Sequence, residues 1–150
     1  MRQCGDEPLL WLAGGLAVGA VLAGASQALS GFVPRLSRMA DALAVQLGSL
    51  SPPVTLAMAL LSAVGEEWVF RGVLQPGLGW PTATLLFAVV HVPMERDLLA
   101  WPFLAGGVGL LLAWSFEVSG GLMAPIGLHF AVNALNLRWL ARRSAEIARG

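Results

Sequence analysis

Glu66-Glu67-Trp68-Val69-Phe70-Arg71 lies inside a run, Pro53 to Gln75, that otherwise reads as a membrane-spanning helix. Each charge near a bilayer centre costs roughly 2.5–3.5 kcal/mol on insertion scales, so two carboxylates and a guanidinium here require pairing, a polar cavity or a function. Glu67 and Arg71 are four residues apart with the acid first, the favourable order for a same-face ion pair. Glu66 sits about 100° round the helix from Glu67 and shares a face with Phe70. The stretch therefore divides. Glu67 with Arg71 is a self-neutralised pair, purely structural or supporting a site, and Glu66 is left free to act on a water.

The surrounding composition supplies the membrane. Of 150 residues, 57% are hydrophobic and 12% charged, and mean hydropathy is +0.72, too apolar for an ordinary soluble domain. The expected fold is all-α, a polytopic membrane helix bundle of about five spans plus one interfacial helix, in a single integral domain over residues 1–150. Every basic residue is Arg and the net charge is zero, so the expected partner surface is the lipid bilayer and no nucleic acid. Cys4 permits neither an internal disulfide nor a cysteine cluster for zinc and is read as an inert terminal residue. Arg2 and the apolar run after it raise the reading of a cleaved signal peptide. Asp6, Glu7 and the length of the run from Leu9 to Leu29 favour a retained first helix instead.

Span 1 covers about Pro8 to Leu29, and its Gly14, Gly15, Gly19 and Gly24 suit close packing against a neighbour. Leu36, Met39, Leu43 and Leu47 recur at helical spacing within Arg35 to Leu50, the pattern of a short interfacial helix. Ser51-Pro52-Pro53 starts span 2 and Pro76-Gly77 is read as its stop. Trp80-Pro81 opens span 3, which Pro93 and Glu95-Arg96-Asp97 end. Span 4 runs from about Leu98 to Phe116, and span 5 from about Leu122 to Leu140. Arg35, Arg38, Arg96, Arg142, Arg143 and Arg149 fall on the side reached after spans 1, 3 and 5, with Arg2 opposite. The positive-inside rule then places the N-terminus outside and the C-terminus in the cytoplasm.

Both histidines lie in predicted spans, His91 on span 3 and His129 on span 5. Counted from the outer span ends, Glu66, His91 and His129 all lie about 12–17 Å deep. Three helices thus place a carboxylate and two imidazoles in one layer. Asn133 and Asn136 follow His129 on the same face of span 5. Asn136 is read as interhelical hydrogen-bonding glue. Trp11, Trp80, Trp101 and Trp139 are interface anchors, and Trp68 is wall rather than chemistry.

A buried carboxylate, two histidines and an amide in one layer suit hydrolysis, in which a base activates water and donors stabilise an oxyanion. No His-Glu-x-x-His helix is present. Asp6, Asp41 and Asp97 lie outside the spans, which leaves no aspartate dyad, and Ser119 lacks the setting of a serine nucleophile. In the same residues the chain resembles the CPBP intramembrane proteases, also called the ABI or CAAX-processing family. Glu66, Glu67 and Arg71 match the Glu-Glu-x-x-x-Arg motif, Phe87 and His91 match Phe-x-x-x-His, and His129 and Asn133 match His-x-x-x-Asn. The resemblance covers a core of about residues 53–140. It implies a glutamic-type intramembrane endopeptidase in which Glu66 and His91 activate the water and His129 and Asn133 form the oxyanion site, with Glu67, Arg71 and Phe87 in support. A membrane-anchored or C-terminally anchored protein is the implied substrate, with the trimming of C-terminal anchors of exported proteins as its form. The short chain argues against assuming prenylated CAAX substrates.

No cofactor is favoured. Zinc held by Glu66, His91 and His129 is the alternative, disfavoured because His129 and Asn133 look like a donor pair and no carboxylate is evident behind either histidine. Two other readings compete. One is a non-proteolytic membrane immunity or partner-binding protein of the same fold. The other is a proton conduit, which calls for polar residues reaching both faces where these form one layer.

Overall fold

Proline starts the helices and glycine ends several of them. α1 (Pro8–Phe32), α2 (Pro34–Leu47), α3 (Pro52–Glu67), α5 (Trp80–Val90) and α6 (Trp101–Ser119) each carry proline in the first turn, where the missing N–H has no intrahelical partner to lose. Gly48, Gly79 and Gly120 close α2, α4 (Gln75–Leu78) and α6 at φ of 70°, 82° and 68°, a region costly for any residue with a Cβ. α7 (Met123–Ile147) completes the bundle. The computed structural model describes residues 7–93, 95 and 98–150. The readings of Arg2, Cys4, Asp6, Arg96 and Asp97 lie outside these residues.

The second span departs from expectation. α3 continues without a break through a π-helical turn, Trp68–Leu74, into α4 (Gln75–Leu78), so Pro52–Leu78 is one rod. Pro76-Gly77 does not stop it. Pro76 removes a hydrogen bond and crowds the carbonyl four residues back, and the wider turn immediately upstream accommodates that, with Gln75 N–H bonding Phe70 O. Among the described residues three helices are long and apolar enough to cross a membrane: α1, the rod and α6. The other two expected spans differ in kind. α5 has 11 residues, about 16 Å, or half a hydrocarbon core. α7 has 25 residues, but His129, Asn133, Asn136 and Arg138 lower its apolarity.

Helix directions follow from the residue pairs in contact. Gly15 meets Ala124, Gly19 meets Leu128 and Ala131, and Gln27 meets Asn136, so α1 and α7 run parallel. Ser62 meets Asn133 and Glu67 meets His129, so the rod runs against α7. The α1–α7 contact is made by backbone. A Cβ on Gly15 would lie 2.2 Å from Ala124 O, one on Gly19 2.3 Å from Leu128 O, and one on Gly127 2.6 Å from Leu12 O. Gly15 and Gly19 thus make the small-residue packing expected of the first span, with α7 as partner, whereas Gly14 and Gly24 have nothing within 4 Å and take no part in it. Asn136 Oδ1 accepts from Gln27 Nε2 at 3.0 Å and Ser26 Oγ at 3.3 Å, the interhelical bonding expected of it.

α2 lays Ala40, Leu43, Ala44 and Leu47 against Trp139 and Leu140, and Arg143 Nε donates to Asp41 Oδ1 at 2.6 Å. Phe70, Phe87, Ala105, Leu112 and Leu128 form the apolar core between the rod, α5, α6 and α7. The charged residues of the second span lie beside that core. Large apolar side chains such as Leu61, Val73, Leu85 and Trp114 face outward, as a lipid-facing surface requires.

Replacing Gly19 with Ile is expected to lower stability by about 1–3 kcal/mol or more, because the clash is with backbone that cannot rotate away. Gly24→Ala, at a position with nothing within 4 Å, is expected to leave it unchanged or slightly raised. Thermal unfolding of the two purified variants in detergent checks the contrast.

Candidate active site

Glu67 is fully buried. Its Oε1 accepts from Arg71 Nη1 at 3.2 Å and from His129 Nδ1 at 2.7 Å. The pair is therefore not self-contained, as the spacing within one helix suggested. Glu67 also fixes the orientation of His129, and so has a place in the site. Arg71, 1% exposed, sends Nη2 to Gly109 O on α6 at 2.9 Å and lies 4.6 Å from the centroid of the Phe87 ring, a cation–π contact strengthened by exclusion of water. Glu67, Arg71 and Gln75 follow one another at four-residue spacing along the rod, and all three are buried.

Glu66 faces a different way and is half-buried, with its side chain 31% exposed. Its Oε2 is buried without a hydrogen-bond partner and lies 3.7 Å from His91 Nε2 and 3.9 Å from His129 Nε2. The structure thus brings Glu66, His91 and His129 together from three helices. Each ring is held by its other nitrogen. His91 Nδ1 sits 2.7 Å from Phe87 O; a carbonyl only accepts, so Nδ1 carries a proton, and in the neutral form of the ring Nε2 is the acceptor. His129 Nδ1 donates to Glu67 in the same way. His91 lies at the end of α5, with φ −95° and ψ 7°, rather than within a continuing span. Pro93 limits how far the helix can run, since it disfavours helical conformation at Val92, the residue after His91. Phe87 connects the parts: its ring packs edge-on to Phe70 at 5.1 Å and tilted on His91 at 4.6 Å.

Asn133 is placed differently from the other site residues. Its Nδ2 donates to Ser62 Oγ at 2.9 Å, one turn before Glu66 on the same face of α3, and a second amide hydrogen is left over. Ser62 was not singled out from the sequence, although its i, i+4 relation to Glu66 was available. Gln75 was missed too. It is 3% exposed, and its Nε2 donates to Ala113 O at 3.1 Å and Glu117 Oε1 at 3.0 Å. Gly109 and Ala113 contribute carbonyls, which leave no trace in residue type.

Two imidazoles and a carboxylate are also the donor set of a zinc hydrolase. A tetrahedral zinc with bonds of about 2.0–2.1 Å needs ligand atoms about 3.3 Å apart. The observed separations of 3.7 and 3.9 Å are wider, and among the described residues no group of three His, Cys, Asp or Glu side chains is placed to hold a metal ion. The arrangement as it stands does not fit the metal. One part of the expectation is corrected: a carboxylate does back one histidine, Glu67 behind His129.

The two glutamates should respond oppositely to neutralisation. Glu67→Gln leaves the Arg71 guanidinium buried without its counter-charge and is expected to cost about 3–5 kcal/mol. Glu66→Gln removes no hydrogen bond and is expected to leave the unfolding midpoint nearly unchanged. Comparing the two midpoints with wild type in one detergent tests the assignment of roles.

The profile of the type II CAAX prenyl endopeptidase Rce1-like family matches residues 48–135, a segment that contains Glu66, Glu67, Arg71, Phe87, His91, His129 and Asn133. The uncharacterized protein YpbD of Bacillus subtilis (strain 168) is 37% identical over 87 residues, which is 57% of this chain and 44% of that protein. The chain thus spans less than half the length of this curated relative. No solved structure matches significantly. With the family profile matched over more than half of its length, and the motif residues meeting at one buried layer, the chain belongs to the membrane-embedded type II CAAX prenyl endopeptidase Rce1-like family.

Proposed function

We propose that the protein is an intramembrane endopeptidase that hydrolyses a peptide bond near or within the membrane, using water activated by Glu66 and His91. One observation carries this reading. Glu66 Oε2 is buried and unpartnered, and it faces two imidazole nitrogens at 3.7 and 3.9 Å, too long for direct hydrogen bonds. Carboxylate oxygen and His91 Nε2 are both acceptors. A water that donates one hydrogen to each would have its own lone pair free to attack a carbonyl carbon. Glu66 then takes the proton and delivers it to the leaving amine.

Position supports a distinct role for His129. Its Nδ1 donates to Glu67 Oε1 at 2.7 Å while its Nε2 lies 3.9 Å from Glu66 Oε2, so Nε2 is turned toward the water between them and, when it carries a proton, donates to the developing oxyanion. The spare amide hydrogen of Asn133 serves as a second oxyanion donor. The fitting substrate is a membrane-anchored or C-terminally anchored protein, met in a bacterial inner membrane with the N-terminus of the protease outside.

A second reading, a metal-dependent protease using Glu66, His91 and His129, draws support from Glu67 behind His129, as such carboxylates steady metal-bound histidines. The experiment that separates the readings is cleavage of two reconstituted substrates, one ending in a helical anchor and one in a prenylated CAAX sequence. Glu66→Gln is expected to stay folded and lose at least about 10²-fold in kcat, with phenanthroline causing no loss. Inhibition by the chelator and recovery on adding zinc would favour the metal. Full activity of Glu66→Gln would remove Glu66 from the chemistry. Proton flux from an intact protein that cuts neither substrate would favour a conduit, and neither flux nor cutting a partner-binding role.

A further inference from the structure

We infer that the seam where the Pro52–Leu78 rod meets α5 and α6 is hydrated. A water is held there by Arg71 Nε, Gln75 Oε1 and Thr84 Oγ1, and the seam is the route by which water reaches the carboxylates. The inference rests on the proposed hydrolysis only for the last step.

Arg71, Gln75 and Thr84 are 1%, 3% and 7% exposed, and each leaves one buried polar atom without a hydrogen-bond partner: Arg71 Nε, Gln75 Oε1 and Thr84 Oγ1. The remaining polar atoms of Arg71 and Gln75 are engaged. Arg71 uses Nη1 on Glu67 and Nη2 on Gly109 O, and Gln75 uses Nε2 on Ala113 O and Glu117. All three side chains face one seam. A Cβ built on Gly109 would lie 3.4 Å from Thr84 Cγ2 and 3.5 Å from Arg71 Nη2, and Ala113, which holds Gln75, is the next turn of α6. The unpartnered atoms are chemically complementary. One is an N–H donor, one an amide oxygen that only accepts, and one a hydroxyl that does either. That set matches the roughly three hydrogen bonds a buried water makes.

The row extends beyond these three. Glu67 Oε2 and Glu66 Oε2 are also buried and unpartnered, so positions 67, 71 and 75 present such atoms one after another, about 6 Å apart along the rod. At the far end Gln75 is bonded to Glu117, an exposed residue in the last turn of α6. A continuous polar line therefore joins the exposed end of α6 to the layer that holds Glu66, inside a bundle whose outer surface is apolar. A dry seam would leave the whole row uncompensated.

Thr84→Val decides between the two because it changes only the hydroxyl. If the seam is dry, exchanging an orphaned hydroxyl for a methyl of the same shape raises the unfolding midpoint. If it is hydrated, the water loses a partner and the midpoint falls by about 2–4 °C, the shift of one lost hydrogen bond in a chain of this size. The expected result is that fall, with a several-fold loss of kcat at unchanged KM. A raised or unchanged midpoint overturns the hydrated seam. A lowered midpoint with unaltered kcat keeps the water but overturns its supply role. A lowered midpoint in a protein that cuts no substrate at all leaves the seam standing and defeats the proteolytic reading instead.

Discussion

The fold depends on one buried carboxylate. Glu67 sits at zero exposure between a guanidinium on its own rod and an imidazole on α7. A charge so placed is tolerated only with close partners, and here each partner binds a further element. Arg71 reaches α6 through Gly109 O and lies over Phe87 of α5. The rod, α5, α6 and α7 are thus joined at one point, the level at which Glu66 meets His91 and His129. Structure and chemistry share that layer because burying Glu67 requires the same residues that leave Glu66 with a polar surrounding.

Two backbone features make this possible. The π turn at Trp68–Leu74 carries the rod through Pro76, and Glu67, Arg71 and Gln75 are buried along its length. The short α5 ends at His91, so an imidazole is delivered from a helix terminus at the depth of the acids instead of passing it. α1 contributes no site residue. Its glycines seat it directly on the backbone of α7, which steadies the helix that carries His129 and Asn133.

Charges and motif spacing in an apolar chain were enough to read a helical membrane bundle, the division between Glu66 and Glu67, and a common depth for Glu66, His91 and His129. Each of these is a local property: cost in lipid, helical period, or count from a span end. The span count was less legible. Trp80-Pro81 and Pro93 bracket α5 correctly, yet its length is half a membrane, and the polar face of α7 lowers the signal that marks a span. No local sequence pattern places a carboxylate behind either histidine, yet Glu67 occupies that position behind His129 from 62 residues away.

By itself, then, the sequence determined the solvent, the secondary structure and the chemical inventory, because hydropathy, proline placement and the energetic cost of charge act within a few residues of each position. Only the tertiary structure decided how the inventory is wired: Glu67 to His129 as well as Arg71, Asn133 to Ser62, Gln75 to α6, and Glu66 Oε2 beside two imidazoles without a hydrogen bond to either. These links join helices far apart in the chain, and several end on backbone carbonyls, which carry no side-chain identity to read. Hydrogen-bond geometry in the packed bundle assigned them, and with them the separation of the acid that holds the fold from the acid that faces open chemistry.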